Sequence, residues 1–301
     1  MTAHSDGDEP TGILPFYTGG PTVLRIILGA QLRRLRLQRG ISLERAGAAI
    51  RASHAKMSRM ELGRVGFKLR DVADLLTLYG VTDPDERETL LGRAERANSP
   101  GWWHKYDEIL PQWFRVYIGL EEAASIIRAF EIQFVPGLLQ STDYARAVIL
   151  LRHATAPQEE IEQRVELRQA RQRRITSCDG PKLWVVLDEA VLRRHFGGRE
   201  VMREQIGHLL ELSEHPNITL QVLPFDHGGH AAAGGPFSIL RFSEAELPDV
   251  VYLEQLTSAL YLDKRQDTEH YMKVMDRVCM EAMSAATTRR FLNIMRRDLS
   301  P

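Results

Sequence analysis

The side chains with the most definite chemistry lie in one short segment, RASHAKMSRMELGRV, which spans residues 51–65. Its arginines carry planar guanidinium groups that donate two hydrogen bonds side by side, and its lysine is a compact point charge. Residues 21–70 hold ten Arg and two Lys against two Glu, a net charge of +10, whereas the whole chain sums to −1. The other 251 residues therefore carry −11. This asymmetry indicates a polyanion-binding module joined to a module with another task.

A second segment, PFDHGGHAAAGGPF, holds the best candidates for metal or enzyme chemistry, which are Asp226, His227 and His230. They lie in a glycine-rich loop, whereas a metal site needs three or four ligands that converge from a fixed scaffold. Cys178 and Cys279 lack zinc-site spacing. The sequence contains no phosphate-binding glycine loop, His-Glu-x-x-His motif or Gly-x-Ser-x-Gly motif. We therefore expect no metal, no cofactor and no enzyme activity, with a metal-dependent hydrolase fused to a DNA-targeting domain as the weakest alternative.

Helical periodicity surrounds the basic segment and must position it. The leucines that share one predicted helical face are Leu24, Leu28, Leu32 and Leu35. Gly40 ends this helix, and Ser42 begins a short second one, SLERAGAAI. Ser53 is the predicted N-cap of the third helix, HAKMSRMEL, which Gly63 ends. Two further helices are predicted before residue 98, so five helices surround the charge.

Two short helices joined by a tight turn form a helix-turn-helix unit, whose second helix enters the major groove of DNA. Residues 22–97 resemble the helix-turn-helix domain of the xenobiotic-response-element (Cro/phage-repressor) class, in the segments LRRLRLQRGISLERAGAAI and SHAKMSRMELGR. The resemblance implies that His54, Ala55 and Arg59 read base edges. It places three residues at phosphates or at the groove wall: Ser53, Lys56 and Ser58. The other expected DNA contacts come from Arg39, Ser42, Arg51, Arg64 and Lys68.

Two residues of this unit need separate interpretation. Glu61 is acidic beside Arg64, and we expect it to form an internal salt bridge or hydrogen bond that fixes the turn. Arg51 stands where the family usually has glycine, and an arginine resists a positive φ. Either the turn is built differently in this chain or Arg51 is modestly strained, and its position also suits a phosphate contact.

The segment NSPG, at residues 98–101, interrupts the helical pattern and marks the predicted domain boundary. We expect a disordered tail over residues 1–20, a helix-turn-helix domain over residues 21–97 and a larger α+β domain over residues 101–297. The predicted fold class is mainly α with a smaller mixed β-sheet.

Runs of apolar and β-branched residues predict four strands in the larger domain: KLWVVL, NITLQVL, FSILRF and DVVYLEQL. A helical crossover separates the first two, which implies a parallel pair, and the closely spaced later strands should be antiparallel neighbours. Helices are predicted over EEAASIIRAFE and over residues 158–175, 189–214, 266–283 and 286–297. The arginine-rich run RVELRQARQRR is interpreted as a solvated helix face, with a second phosphate contact as the alternative.

Residues 101–297 resemble the domain of unknown function that follows such helix-turn-helix units in actinobacterial, antitoxin-like regulators. The segments that carry this resemblance are GWW, LPQWFRVYIGLE, FVPGLLQSTDYARAVI, DEAVLRR and HAAAGGPF. The resemblance implies a DNA-binding regulator that is often encoded beside a small partner protein. It implies no chemical activity.

Five aromatic residues near the start of the larger domain have two interpretations. They are Trp102, Trp103, Trp113, Phe114 and Tyr117. Large aromatic side chains dominate core burial, so they can form a core that docks this segment on the domain. They can also line a ligand pocket or a partner surface, to which His230 would belong. Their order in the sequence does not separate the two.

We expect a cytoplasmic, sequence-specific transcription regulator that binds a double-stranded DNA operator as a homodimer assembled through its larger domain. That domain senses a ligand or binds a small protein encoded by an adjacent gene. The alternative is an antitoxin-like interaction module for which DNA binding is secondary. The N-terminus is acidic, and the sequence has no apolar run of about 18 residues. Both features argue against export and against membrane insertion.

Overall fold

The computed structural model describes residues 23–63, 65–98, 101–243 and 247–299. Five helices come first, and a larger unit with a six-stranded mixed sheet follows, which confirms the predicted fold class. No helix in these four ranges is long and apolar enough to cross a membrane. The tail expected over residues 1–20 lies outside the described residues.

The first five helices follow the local signals in the sequence. They are α1 (Val23–Gln38), α2 (Leu43–Ala49), α3 (His54–Glu61), α4 (Leu69–Leu78) and α5 (Pro84–Asn98). Ser42 and Ser53 cap α2 and α3, because each hydroxyl accepts a hydrogen bond from the backbone amide three residues later. Gly40 and Gly63 take positive φ values just beyond α1 and α3, as their predicted positions require.

These helices share one apolar core and approach each other closely at α1 and α3. Met57 and Met60 on α3 are fully buried beside Leu28 and Leu32 of α1. A Cβ atom at Gly29 would lie 2.5 Å from the carbonyl oxygen of Met60, so only glycine fits there. The backbones of α1 and α3 are therefore in direct contact.

A buried ion pair joins the same two helices. The Nε and Nη2 atoms of Arg36 donate to the two carboxylate oxygens of Glu61 at 2.6 and 2.9 Å, and Nη1 donates to the carbonyl of Ile41 at 2.7 Å. The Arg36 and Glu61 side chains are only 7% and 4% exposed. Glu61 thus forms the expected internal salt bridge, and its partner is Arg36 on α1.

The larger unit contains seven helices and six strands within the described residues. The helices are α6 (Gln112–Ala123), α7 (Thr142–Arg152), α8 (Gln158–Ile175), α9 (Glu189–Arg193), α10 (Arg199–Leu212), α11 (Arg265–Glu281) and α12 (Ala285–Asp298). The strands are β1 (Ile126–Glu131), β2 (Lys182–Asp188), β3 (Ile218–Leu223), β4 (Phe237–Arg241), β5 (Val250–Glu254) and β6 (Ala259–Leu262). Their order in the sheet is β3-β2-β1-β4-β5-β6.

The sheet is parallel on one side of its centre and antiparallel on the other. β1, β2 and β3 run parallel, which confirms the crossover expected between the first two predicted strands. β4 pairs antiparallel with β1 and with β5, and β5 pairs antiparallel with β6. The carboxyl ends of β1, β2, β3 and β5 therefore lie along one edge of the sheet.

Two predicted helices need correction, and one strand has no counterpart in the prediction. The helix predicted over EEAASIIRAFE is wrong beyond Ala123, because the following residues form β1 at the centre of the sheet. The helix predicted over residues 189–214 is two helices, since Gly197 and Gly198 adopt positive φ values between α9 and α10. β6 was not predicted, and its four residues are too few to give a pattern.

Helices cover the two faces of the sheet unequally. α6, α7, α8, α10 and α12 supply the core on one face, where Val185 and Leu187 are buried. α11 covers the other face, where Met275 and Val278 meet Val186. The alternation along β2 follows from the period of two in a strand.

The arginine-rich run on α8 is not the solvated face that the sequence predicts. Arg171 is buried and donates to both carboxylate oxygens of Glu121 at 2.7 and 2.6 Å. Arg164 pairs with Glu160, one turn earlier on α8, at 2.7 Å. The run therefore attaches α8 to α6 through charge-assisted hydrogen bonds.

The helix α1 belongs to both units. Ile27 is buried in the core of the larger unit, and its neighbour Leu28 is buried in the core of the first five helices. Leu24 packs against both cores, and the Nε of Arg25 donates to the carbonyl of Ala97 at the end of α5. The boundary predicted at residues 98–101 divides the chain, but α1 contributes to both sides of it.

The loop from β3 to β4, residues 224–236, crosses the ends of β2 and β1 at the carboxyl edge of the sheet. Ala232 is buried, and the ring of His230 packs against Phe130 with centroids 5.2 Å apart. Four glycines flank this contact, and no atom lies within 4 Å of a Cβ built on any of them: Gly228, Gly229, Gly234 and Gly235. The loop is therefore attached at its middle and open on both sides.

β6 is one of the two edge strands of the sheet, and no strand of the described residues pairs with its outer side. The hairpin that precedes it carries Leu256, which is 82% exposed, and Leu260 on β6 is also exposed. Arg152 at the end of α7 donates to the carbonyl of Leu256, and exposed Leu151 lies beside it in the sequence. An open strand edge with exposed leucines is a common site of protein association.

Replacing Arg36 by Met should destabilise the protein by about 3–5 kcal/mol, because it leaves the Glu61 carboxylate buried without its cation. The double variant Arg36→Met/Glu61→Leu should regain most of that loss, since neither charge remains. Urea unfolding of the full-length protein measures both. Arg203→Met is the control, because it breaks an exposed pair with Glu200. Equal losses in the single and double variants would show that the charges are not coupled.

Candidate nucleic-acid interface

The helix α3 separates its side chains into a buried and an exposed face. Met57, Met60 and Glu61 point into the core. His54, Ala55 and Arg59, which are predicted to read bases, are all exposed, and they lie near one another because residues four apart share a helical face. The Nε of Arg59 donates to the carbonyl of Ala55 at 3.3 Å, which leaves the other guanidinium donors unengaged by described residues.

The start of α3 offers backbone amides to an anion. The Ser53 hydroxyl occupies the amide of Lys56 at 3.2 Å, and the other amides of the first turn have no partner within the helix. Ser42 plays the same capping role at α2, with the amide of Arg45 at 3.2 Å. Both serines are exposed, so their hydroxyls lie at the surface where the two helix starts meet solvent.

Arg51 adopts the left-handed backbone conformation, with φ of 54°. It is the one non-glycine residue with positive φ among those that the structure describes. The turn retains the geometry that glycine usually provides, so Arg51 is strained. Gly47 makes the tight turn possible, since a Cβ there would lie 2.6 Å from the carbonyl oxygen of Ala52. The close neighbour of Gly47 is therefore this turn.

Lys56 has a protein partner that the sequence did not reveal. Its Nζ lies 3.3 Å from Oδ2 of Asp71, whose side chain is only 4% exposed. Asp71 lies in the first turn of α4, where a carboxylate is favoured by the helix dipole. A phosphate that binds Lys56 must therefore compete with Asp71 for the ammonium group.

The remaining residues predicted to contact DNA differ in whether they already bind other groups of the protein. Arg39 donates to the carbonyls of Tyr79 and Gly80 at 2.7 and 3.2 Å, so it holds the end of α4. Lys68 is exposed at the start of α4, and Ser58 is half-buried on α3. Arg64 lies outside the described residues.

His54 and Glu44 lie close together on the exposed side of the two short helices. Nε2 of His54 is 3.6 Å from Oε1 of Glu44, and both side chains are exposed. Hydrogen bonds from its own backbone and from Ser42 lower the pKa of Glu44, so this carboxyl stays ionised at neutral pH. A carboxylate beside the predicted base-reading residues repels phosphate and restricts how the helix pair can approach DNA.

The five aromatic residues of the larger unit lie in two connected clusters. Trp102 and Trp103 pack edge to face at 5.9 Å against a small core that includes Tyr106. The ring of Phe114 stacks on that of Tyr117, and the ring centroids of Tyr117 and Tyr252 are 4.3 Å apart. Trp113 completes the set beside Phe114. Tyr117 is buried and the other four are half-buried, so this group packs as core and also reaches the surface.

The candidate metal ligands are not brought together. His227 lies 3.5 Å from Glu281, and His230 packs on Phe130 instead. No group of three His, Cys, Asp or Glu side chains able to hold a metal ion occurs in the part of the chain that the structure describes. The residues near the candidate interface that sequence reasoning missed are Asp71 and Glu44, which meet Lys56 and His54 through folding rather than through sequence spacing.

Two family models match the chain. A model described as a domain of unknown function (DUF5753) matches residues 114–293, which is more than half of the sequence. The chain belongs to the DUF5753 family. A model described as a helix-turn-helix domain matches residues 27–90, the part that holds α2, α3 and α4. No curated protein and no solved structure matches significantly. The helix-turn-helix match supports a DNA-binding regulator, which agrees with the prediction at that level.

Replacing Arg51 by Gly should stabilise this DUF5753 protein by about 1 kcal/mol, because glycine adopts positive φ without strain. Arg51→Ala keeps the backbone strain and removes the same charge. Thermal unfolding should therefore separate the two variants, with Gly above wild type and Ala near or below it. If Gly and Ala shift the melting temperature equally, the left-handed conformation is not the cause.

Proposed function

We propose that the protein is a sequence-specific transcription regulator of the xenobiotic-response-element class, which inserts α3 into the major groove of operator DNA. The observation that carries the proposal is the exposed face of α3, where His54, Ala55 and Arg59 stand together over a buried methionine face. A helix of eight residues is about 12 Å long, which fits a major groove about 12 Å wide.

Arg59 is the proposed base reader. Its guanidinium group is exposed at the middle of α3 and can donate to both O6 and N7 of guanine. Phosphate contacts come from Arg51, Lys68 and the amides at the start of α3. Arg39 and Lys56 contribute less than their charge suggests, because each is already bonded within the protein.

Arg59→Ala should reduce the ratio of operator to random-DNA affinity, because a bidentate contact contributes about 1–3 kcal/mol of discrimination. Arg96→Ala on α5 is the matched control, since it removes an exposed arginine that lies outside the two short helices α2 and α3. Binding assays with the operator and a scrambled duplex measure the ratio. A ratio that stays unchanged in Arg59→Ala would overturn this docking of α3.

The dependence on salt tests the phosphate contacts. Arg51 and Lys68, with partial contributions from Arg39 and Lys56, amount to about three cationic contacts per reader. Log affinity should therefore fall with log salt at a slope of about −2.7 per subunit, since each contact contributes about 0.9. Lys56→Ala should weaken operator and random DNA alike, and it should also lower the melting temperature because it leaves Asp71 without its lysine. A slope near zero would remove phosphate neutralisation from the mechanism.

A homodimer is proposed for the DNA-bound protein, because one reader of this size covers few base pairs and two half-sites about 34 Å apart restore specificity. Sedimentation of the free protein and of its complex with a palindromic operator measures the state. A monomer under both conditions would contradict the proposal.

The larger domain is proposed to receive the regulatory signal in the cytoplasm, as a ligand or as a small protein encoded by an adjacent gene. The exposed leucines at the hairpin before β6 favour the protein partner, in the manner of an antitoxin-like pair. Co-purification of the two gene products, weakened by Leu256→Lys but not by Leu37→Lys on α1, would support it. Both leucines are exposed, so both variants should fold.

A further inference from the structure

An open groove of about 890 Å³ lies on the surface between α4 and α5. Its apolar lining comes from Leu69 and Ala73 on α4 and from Pro84 and Leu91 on α5. Leu69 is 44% exposed and Leu91 is half-buried, so the groove presents apolar surface to solvent.

Gly92 lies inside α5 and also lines the groove. Glycine within a helix destabilises it relative to alanine. At Gly29 and Gly47 another backbone segment comes so close that only glycine fits, whereas no described atom lies within 4 Å of a Cβ built on Gly92. A segment bound in the groove would account for glycine at this position.

The chain carries an apolar segment just before α1. Residues 10–24 have no charged side chain, and residues 12–17 read GILPFY. Residues 12–17 lie outside the described part of the chain, within the tail expected over residues 1–20. Each of the two aromatic side chains can bury about 150–250 Å², a gain that is lost if both stay in water. This composition therefore favours docking on an apolar surface.

α1 begins beside the end of α5, which brings the segment to the groove. The Nε of Arg25 donates to the carbonyl of Ala97 at 2.9 Å, and Glu95, two residues before Ala97, lines the groove. Tyr17 lies six residues before Val23, and six residues span up to about 20 Å. The segment therefore reaches this end of the groove, and its direction places Tyr17 near Glu95.

The groove and the segment agree in length and in charge. Along α5 the lining runs from Pro84 to Glu95, which is about 17 Å of helix. Six extended residues cover about 20 Å, and Pro15 disfavours a helical conformation at Leu14. The charged lining residues are two of each sign, which suits an uncharged segment: Arg70, Arg87, Glu88 and Glu95.

We propose that residues 12–17 bind in the α4–α5 groove of their own chain, with Phe16 packed over Gly92. One extended residue advances about 3.3 Å and three helical residues about 4.5 Å, so Phe16 follows Tyr17 as Gly92 follows Glu95. A connection of six residues holds the segment at an effective concentration on the order of millimolar. A modest affinity therefore keeps it bound.

This interaction goes beyond the proposed function and does not depend on DNA. α4 carries Asp71, which lies beside Lys56 of α3, so a segment that covers α4 also supports α3. A second copy of the chain is the competing occupant of an apolar groove, and cross-linking distinguishes it.

Disulfide cross-linking in the full-length protein tests the contact. Oxidation of Phe16→Cys/Gly92→Cys should join positions 16 and 92, as mass spectrometry after digestion would show. A side chain at Gly92 meets open space, so the variant should fold. Phe16→Cys/Leu37→Cys is the matched control, since Leu37 is exposed on α1 and lies about 21 Å from Val23. The first pair should give at least about tenfold more product.

An equal mixture of isotope-labelled and unlabelled protein shows whether each link lies within one chain. Links within one chain support the proposal, whereas links mainly between labelled and unlabelled chains would assign the groove to a second copy. Equal yields from the two cysteine pairs would also overturn the proposal. The two single variants, Phe16→Cys and Gly92→Cys, measure background pairing with Cys178, which is exposed.

Thermal unfolding measures whether the contact stabilises the protein. Phe16→Ala and Leu69→Ala should each lower the melting temperature by about 2 °C or more, and the double variant should lose less than the sum, because either change removes the same contact. Leu69 is partly exposed, so its variant should fold. Phe225→Ala is the control, since Phe225 is exposed outside the groove. A melting temperature unaffected by Phe16→Ala would refute the docking, and neither measurement involves DNA.

Discussion

The double packing of α1 is the constraint on which the architecture depends. Ile27 and Leu28 are neighbours in the sequence and fill different cores, so the rotation of α1 about its axis is fixed from two sides. Arg36 and Glu61 then fix α3 against α1, because a misplaced helix would leave two desolvated charges apart. The orientation of α3 relative to the sheet thus follows from one helix and one ion pair.

The N-terminal unit could be predicted from the sequence almost completely. Its helices have leucines and methionines at helical spacing, with serine at two starts and glycine after the ends, and all of these signals are local. The strain at Arg51 is one of the two interpretations that the sequence allows, because an arginine stands where related domains usually have glycine. The outward position of His54, Ala55 and Arg59 agrees with the roles that the resemblance implies, and Met57 and Met60 are buried on the opposite face of the helix.

The rest depended on contacts between distant residues. β1 is buried on both faces at the centre of the sheet, so its sequence lacks the polar–apolar alternation that identifies a strand. The residues just before β1 belong to the helix α6, and the sequence pattern alone does not show where that helix ends. The arginines look alike in sequence, but Arg36, Arg39 and Arg171 are bonded inside the protein, whereas Arg59 is exposed. Pairing of charges across the fold decides which cations are available to DNA, and composition does not record it.

The glycine-flanked loop between β3 and β4 has a practical consequence. Its middle is held by His230 and Ala232, while a side chain added at any of the four flanking glycines, a pair on each side, would meet open space. A non-specific protease should cut first at these pairs, and the two fragments should stay associated because β1 and β4 remain hydrogen-bonded across the cut. The same pairs are suitable insertion points for a fluorescent reporter, since an added segment there would displace no packed side chain.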